Sequence, residues 1–65
     1  MLLEKWMGEV VGELHLHRLT YEDLGNKMGC TRAYVSMILS GARTPKNAEQ
    51  TVRAALAELI AEREQ

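Results

Sequence analysis

The stretch LTYEDLGNKMGCTRAYVSMILSGARTP, residues 19–45, contains two signals for the start of a helix and two for its end. Thr20 is a favourable N-cap with Asp23 three residues later, and Thr31 is a second favourable N-cap. Gly29 and Gly41 stand where a helix would end in a left-handed conformation. The pattern predicts two short helices, at roughly residues 20–28 and 31–40, joined by a short turn, which is a helix-turn-helix.

Segments with helical periodicity flank this motif on both sides. Residues 2–14, LLEKWMGEVVGEL, carry apolar residues three and four apart, as on one face of a helix. Residues 13–19, ELHLHRL, also alternate with the period of a strand, and we favour the helix. After a loop, Thr44 or Asn47 is expected to cap the next helix, with Pro45 compatible with its first position. The apolar spacing of residues 48–64 predicts one long final helix. Together these segments predict that the chain, 1–65, is a single all-α domain, a small helical bundle of four or five helices.

Composition and length narrow the class of protein. The 65 residues are 46% hydrophobic and 26% charged, which is typical of a soluble globular domain. No apolar run approaches the roughly 18 residues that span a bilayer, so we expect no membrane partner. A single cysteine allows no internal disulfide, so we expect a reducing, cytoplasmic location. Cys30 is the only cysteine and is interpreted as a buried structural thiol. His15 and His17 would point to different sides of a helix with no third ligand nearby, so we expect no metal. We also expect no cofactor, no catalytic residue and no small-molecule effector site.

The net charge of −1 hides an uneven distribution along the chain. Residues 1–23 carry two bases and five acids (−3), residues 24–48 four bases and no acid (+4), and residues 49–65 two bases and four acids (−2). The central bases are Lys27, Arg32, Arg43 and Lys46, although a merely solvated role would also explain Lys27. Because local potential steers a charged partner more than total charge does, the central segment is the predicted surface for a polyanion.

The same segment carries a family resemblance. The LTYEDL start at 19–24, the glycine at 29, the small polar cap at 31, YVS at 34–36 and SGARTP at 40–45 resemble the Cro/lambda-repressor type of helix-turn-helix, the XRE family of bacterial and phage regulators. The resemblance implies binding to double-stranded DNA, with the second helix of the motif in the major groove. The chain departs from the family pattern at Gly25, where alanine is usual, at Met37, where a polar residue is common, and at Leu39, where glutamate is frequent.

The second helix of the motif is expected to have two faces. Val35, Ile38 and Leu39 are expected to hold it to the core. Arg32 is the leading candidate for a base contact because its guanidinium can pair bidentately with guanine, with a phosphate contact or plain solvation as the alternative. The predicted base-contacting residues are Arg32, Ala33, Ser36 and Met37. The predicted phosphate-contacting residues are Thr20, Tyr21, Thr31, Tyr34, Ser40, Arg43 and Lys46, and Tyr34 fits the core equally well.

One short recognition helix with a single arginine favours a homodimer on a palindromic operator. The predicted dimer interface comes from the first and last helices: Leu2, Trp6, Leu56, Leu59 and Ile60. The alternative is that a chain of 65 residues uses all of its apolar residues in its own core. The expected function is a small dimeric (auto)repressor of phage or mobile-element type that acts by operator occupancy in the cytoplasm, associated with the nucleoid. The alternatives are a helical protein-interaction module, such as an anti-repressor or antitoxin, and a DNA-binding accessory subunit of a larger complex.

Overall fold

Four helices make up the fold in the computed structural model, which describes residues 4–64. They are α1 (Lys5–Leu16), α2 (Tyr21–Met28), α3 (Arg32–Leu39) and α4 (Ala48–Arg63). The predicted all-helical class is confirmed, and residues 13–16 complete α1 instead of starting a strand. Within residues 4–64, none of the helices combines the length and the apolar character that a bilayer crossing requires.

Helix α1 forms because its apolar residues recur on one face. Trp6, Met7, Val10 and Leu14 are all buried, at the three- and four-residue spacing that a helix brings together. The indole Nε1–H of Trp6 donates to the Glu4 carboxylate at 3.1 Å, which satisfies the polar atom of this largely buried ring. The burial of this stripe anchors α1 against α3 and α4.

The two predicted caps of the central motif are present. The Thr20 hydroxyl oxygen accepts the Asp23 backbone N–H at 3.0 Å, and the Thr31 hydroxyl oxygen accepts the Tyr34 N–H at 3.1 Å. Gly29 ends α2 with φ of 79°, a left-handed conformation that favours glycine. Helices α2 and α3 are therefore separated by residues 29–31 alone.

Gly25 allows α2 to lie directly against the turn that leads into α3. A Cβ atom added at Gly25 would lie 2.8 Å from the carbonyl oxygen of Cys30 and 3.2 Å from the carbonyl carbon of Thr31. The Cys30 N–H also donates to the Gly25 carbonyl oxygen at 2.8 Å. The glycine at position 25 thus permits an approach that a side chain would obstruct.

Helix α4 begins at Ala48, after Asn47, which is the later of the two predicted caps. Asn47 occupies the N-cap position with φ of 60°, but its side chain makes no capping hydrogen bond. Pro45 precedes the helix, and its carbonyl oxygen accepts the Ala48 N–H at 3.2 Å. Of the two predicted caps, the position of Asn47 is therefore confirmed, whereas Thr44 and Pro45 lie in the loop because the chain makes a further turn before it becomes helical.

The hydrophobic core joins all four helices and explains two corrections to the predicted dimer interface. Trp6 is only 8% exposed and Leu56 only 2% exposed within a single chain. Both residues stabilise the protomer itself, so they have almost no surface to offer a partner. The buried core residues are Trp6, Met7, Val10, Leu14, Leu19, Leu24, Val35, Ile38, Leu39, Val52, Ala55 and Leu56.

The cap of α2 makes stability depend on pH. The Thr20 backbone N–H donates to the Asp23 carboxylate at 3.0 Å, and this bond, followed by the Thr20 side chain, lowers the pKa of Asp23. A lowered folded pKa contributes stability above the unfolded value, near 3.9, and loses it as pH falls through the folded value. We therefore expect wild type to melt at a higher temperature than Asp23→Asn at neutral pH.

The difference between these two melting temperatures should shrink as pH falls from about 5 to about 2. Circular dichroism melts at intervals across this range would measure it. A difference that stays constant down to the lowest pH would contradict the role assigned to the ionised carboxylate.

Candidate nucleic-acid interface

Helix α3 presents an exposed face at its N-terminal half and a buried face toward the core. Val35, Ile38 and Leu39 are buried, as expected from the sequence. The opposite face carries three predicted base-contacting residues that are exposed, Arg32, Ala33 and Ser36, and one that is half-buried, Met37. The sequence-predicted division of this helix into two faces is therefore present, and Met37 has less free surface than the other three.

The N-terminus of α3 is electrostatically open to an anion. Its first turn contains no acidic residue, and Arg32 is the first residue of the helix. The Thr31 hydroxyl uses its oxygen to accept the Tyr34 N–H, which leaves its own hydrogen to be donated elsewhere. Partial positive charge from the helix dipole adds to the guanidinium at this end.

The N-terminus of α2 differs from that of α3. Glu22 and Asp23 both lie in its first turn, and the Asp23 carboxylate accepts the Thr20 N–H. A phosphate at this end would meet a carboxylate that already occupies the capping site. The predicted phosphate contacts of Thr20 and Tyr21 are consequently the least favoured of the set, since Thr20 is engaged with Asp23 and Tyr21 is half-buried beside two acids.

A hydrogen-bonded turn connects the end of α3 to the loop that carries Arg43. The Met37 carbonyl oxygen accepts both the Ser40 hydroxyl, at 3.2 Å, and the Arg43 backbone N–H, at 3.1 Å. Gly41 makes the reversal possible with φ of 82°. The turn fixes the backbone of Arg43 next to α3, whereas the single hydroxyl hydrogen of Ser40 is already used and is not free for a phosphate.

Tyr34 and Lys46 border a recess behind α3. The recess has a volume of about 210 Å³, and Tyr34 is half-buried in its wall while Lys46 is exposed. Cys30 also lines it and is half-buried, so the thiol is less enclosed than the sequence suggested. The remaining lining residues are Met28, Ile38, Pro45, Ala48 and Thr51.

The basic side chains fall into two groups. Three are paired with acids: Lys27 with Glu62, Arg53 with Glu9 at 2.7 Å and Glu49 at 2.9 Å, and Arg63 with Asp23 at 3.8 Å. The hydrogen bond to Glu62 raises the pKa of Lys27. Five others have no acidic partner at ion-pair distance among residues 4–64: Lys5, Arg18, Arg32, Arg43 and Lys46.

This grouping changes the electrostatic interpretation of the central segment. Lys27 contributes little free positive charge, because it lies beside the carboxylate of Glu62. Arg32, Arg43 and Lys46 keep their charge available, on α3 and on the loop that follows it. The unneutralised charge of residues 24–48 therefore belongs to three bases instead of four.

The residues predicted for a dimer interface lie in several different environments. Leu59 is half-buried on the side of α4 that faces Asp23 of α2, and Ile60 borders a separate groove between α1 and α4. Leu2 lies outside the described residues. Leu16 is 76% exposed at the end of α1, which was not predicted from the sequence. Its place in an alternating apolar stretch gave no sign that it would stay outside the core.

Comparisons of the chain with protein-family models, with curated proteins and with solved structures give no match.

Proposed function

We propose that this protein is a sequence-specific regulator that binds double-stranded DNA, with α3 as the helix that enters the major groove. The observation that carries the proposal is the joint placement of an exposed, acid-free helix start and three bases without acidic partners in the described chain, Arg32, Arg43 and Lys46. Phosphate contacts supply most of the affinity of such proteins, and side chains on the groove-facing helix supply specificity. The resemblance of residues 19–45 to the XRE family supports the same function.

Within this proposal the residues divide by chemistry. Arg32 pairs with a guanine edge, and Ala33 and Met37 offer apolar contact to a thymine methyl group. Ser36 lies on the exposed face with them and can donate or accept. Arg43, Lys46 and the free hydroxyl hydrogen of Thr31 bind the flanking phosphates.

The proposed mode of action is steric. Two copies occupy an inverted-repeat operator in the bacterial cytoplasm, with recognition helices about 34 Å apart, and their presence blocks access of the polymerase. Autorepression is proposed by analogy with the XRE-type regulators that residues 19–45 resemble.

Selection from a random DNA library tests the function directly. Purified protein at about 150 mM salt should enrich an inverted repeat with half-sites about one helical turn apart. Equal, weak and salt-sensitive retention of all sequences would reduce the function to non-specific backbone binding. Absence of any retention would overturn the proposal in favour of a protein-interaction module, whose partner would then be sought.

A further inference from the structure

We propose that a second copy of this chain docks on a groove between α1 and α4 by inserting Leu16, with Arg18 facing the acidic rim of the groove. The groove has a volume of about 400 Å³ and lies away from α3 and the loop that follows it, which carry the candidate DNA surface. Docking of this kind would form the two-fold dimer that the proposed function requires, and it rests on the proposed function only in that the dimer is taken to serve DNA binding. The residues that line the groove are Glu13, Arg53, Leu56, Ala57, Ile60, Ala61 and Glu64.

The groove is shaped to receive an apolar side chain. Ala57 and Ala61 lie one helical turn apart on α4 and contribute small side chains, and Ile60 borders the same space. Leu16 is the one large hydrophobic residue of the described chain that is strongly exposed, at 76%. It lies three residues beyond Glu13 on α1, so it follows the groove-lining face by about one turn.

Charge complementarity identifies the occupant as a second copy. Among the described residues that line the groove, Arg53 is the only base, and it already pairs with Glu9 and Glu49. The carboxylates of Glu13 and Glu64 have no ion-pair partner among residues 4–64, so the rim is negative.

Leu16, the projecting residue, lies close in sequence to a positive charge, opposite in sign to the rim of the groove. Arg18 follows Leu16 by two residues, is exposed, and has no acidic partner in the described chain. The same surface thus contains an apolar projection next to a positive charge and an apolar groove next to negative charges.

Such a surface is complementary to itself under two-fold rotation. In a closed symmetric dimer each copy gives the same residues and receives the same residues. Leu16 of each protomer would enter the groove at Ala57 and Ala61 of the other, and each Arg18 would meet the Glu64 carboxylate across the interface. Two projections, two grooves and two ion pairs would then be satisfied at once.

Sedimentation equilibrium of the full chain without DNA, from about 1 μM to about 1 mM, tests the proposal independently of DNA binding. Wild type should be in reversible monomer–dimer equilibrium. Leu16→Ser and Ala61→Glu should each raise the dimer Kd by about tenfold or more, since central apolar contacts carry most interface affinity. Lys5→Asp, a charge change at the far end of α1, should leave the Kd unchanged.

A charge-reversal pair tests the geometry. Arg18→Asp and Glu64→Arg should each weaken the dimer, and the double variant should recover part of the lost affinity. Circular dichroism melts of each variant would confirm that the monomer still folds, as expected for exposed positions. A wild type that stays monomeric throughout, a dimer that tolerates both Leu16→Ser and Ala61→Glu, or growth beyond the dimer would each overturn the proposal.

Failure of the proposed dimer interface can be distinguished from failure of the proposed DNA-binding function. A dimer that depends on Leu16 and Ala61 but selects no DNA sequence leaves this interface standing and overturns the proposed function. If the protein selects an operator but its dimer is insensitive to these substitutions, the proposed function stands and this interface is overturned.

Discussion

Gly25→Ala is expected to lower the free energy of unfolding by about 1–3 kcal/mol, as overpacking in a close contact does. The added Cβ would lie 2.8 Å from the Cys30 carbonyl oxygen and 3.2 Å from the Thr31 carbonyl carbon. Both are backbone atoms, which cannot rotate away as a flexible side chain can. The turn between α2 and α3 would have to move, and with it the hydrogen bond from the Cys30 N–H to the Gly25 carbonyl oxygen.

The expected loss of stability already includes a favourable contribution from helix propensity. Alanine in a helix interior is favoured over glycine by about 1 kcal/mol, so the steric cost must exceed that figure. Urea denaturation followed by circular dichroism would measure the difference, with the midpoint and slope compared between variant and wild type. An unchanged slope would indicate that stability, and not the unfolded ensemble, has changed.

Gly8 and Gly12 supply matched controls. Both lie inside α1 and are exposed, and a Cβ added at either would meet nothing within 4 Å. Gly8→Ala and Gly12→Ala should each raise stability by about 0.5–1 kcal/mol through helix propensity alone. If Gly25→Ala stabilises the protein by a similar amount, the close approach of α2 to the turn is contradicted.

The central helices were predictable because capping is local chemistry. Thr20 and Thr31 each accept an N–H three residues later, and Gly29 needs only its own backbone freedom to end α2. Such signals lie within a few residues of the bond they describe. The boundaries of α2 and α3 consequently agree with the sequence prediction to about one residue.

Features that depend on distant residues were not predictable in this way. Gly25 stood out only as a departure from the pattern of the family that the sequence resembles, and its distance to the Cys30 carbonyl depends on how the turn packs. Lys27 was counted among the four bases of the central segment, yet it pairs with Glu62, 35 residues away. Trp6 was assigned to a partner surface because periodicity gives the direction of an apolar face without saying whether the same chain covers it.

The candidate DNA surface was predictable in part, because some of its features are local and others depend on how the chain packs. Which residues of α3 face outward follows from helical spacing, and Arg32, Ala33 and Ser36 are exposed as expected. The fixed position of Arg43 depends on a turn in which one carbonyl accepts two hydrogen bonds. That turn also withdraws Ser40 as a donor, a consequence that the SG dipeptide alone does not reveal.

If the proposed function is right, Arg32→Ala should weaken binding to the selected operator by about 1–3 kcal/mol and relax the preference at one base pair in each half-site. A truncated side chain removes the bidentate contact to guanine, and lysine cannot restore that planar geometry. Arg32→Lys should therefore recover much of the general affinity but little of the base preference. Titrations against the operator and against variants at each position would separate the two effects.

Arg43→Ala is the matched comparison, because it removes the same charge from the loop that the Met37 carbonyl holds beside α3. Loss of a phosphate contact should weaken all sequences about equally and reduce the slope of log K against log salt by about 1. A base preference that changes with Arg43→Ala and stays intact with Arg32→Ala would invert the assigned roles. Because both arginines are exposed and unpaired in residues 4–64, neither substitution should alter the melting temperature, so the two effects on DNA would not arise from unfolding.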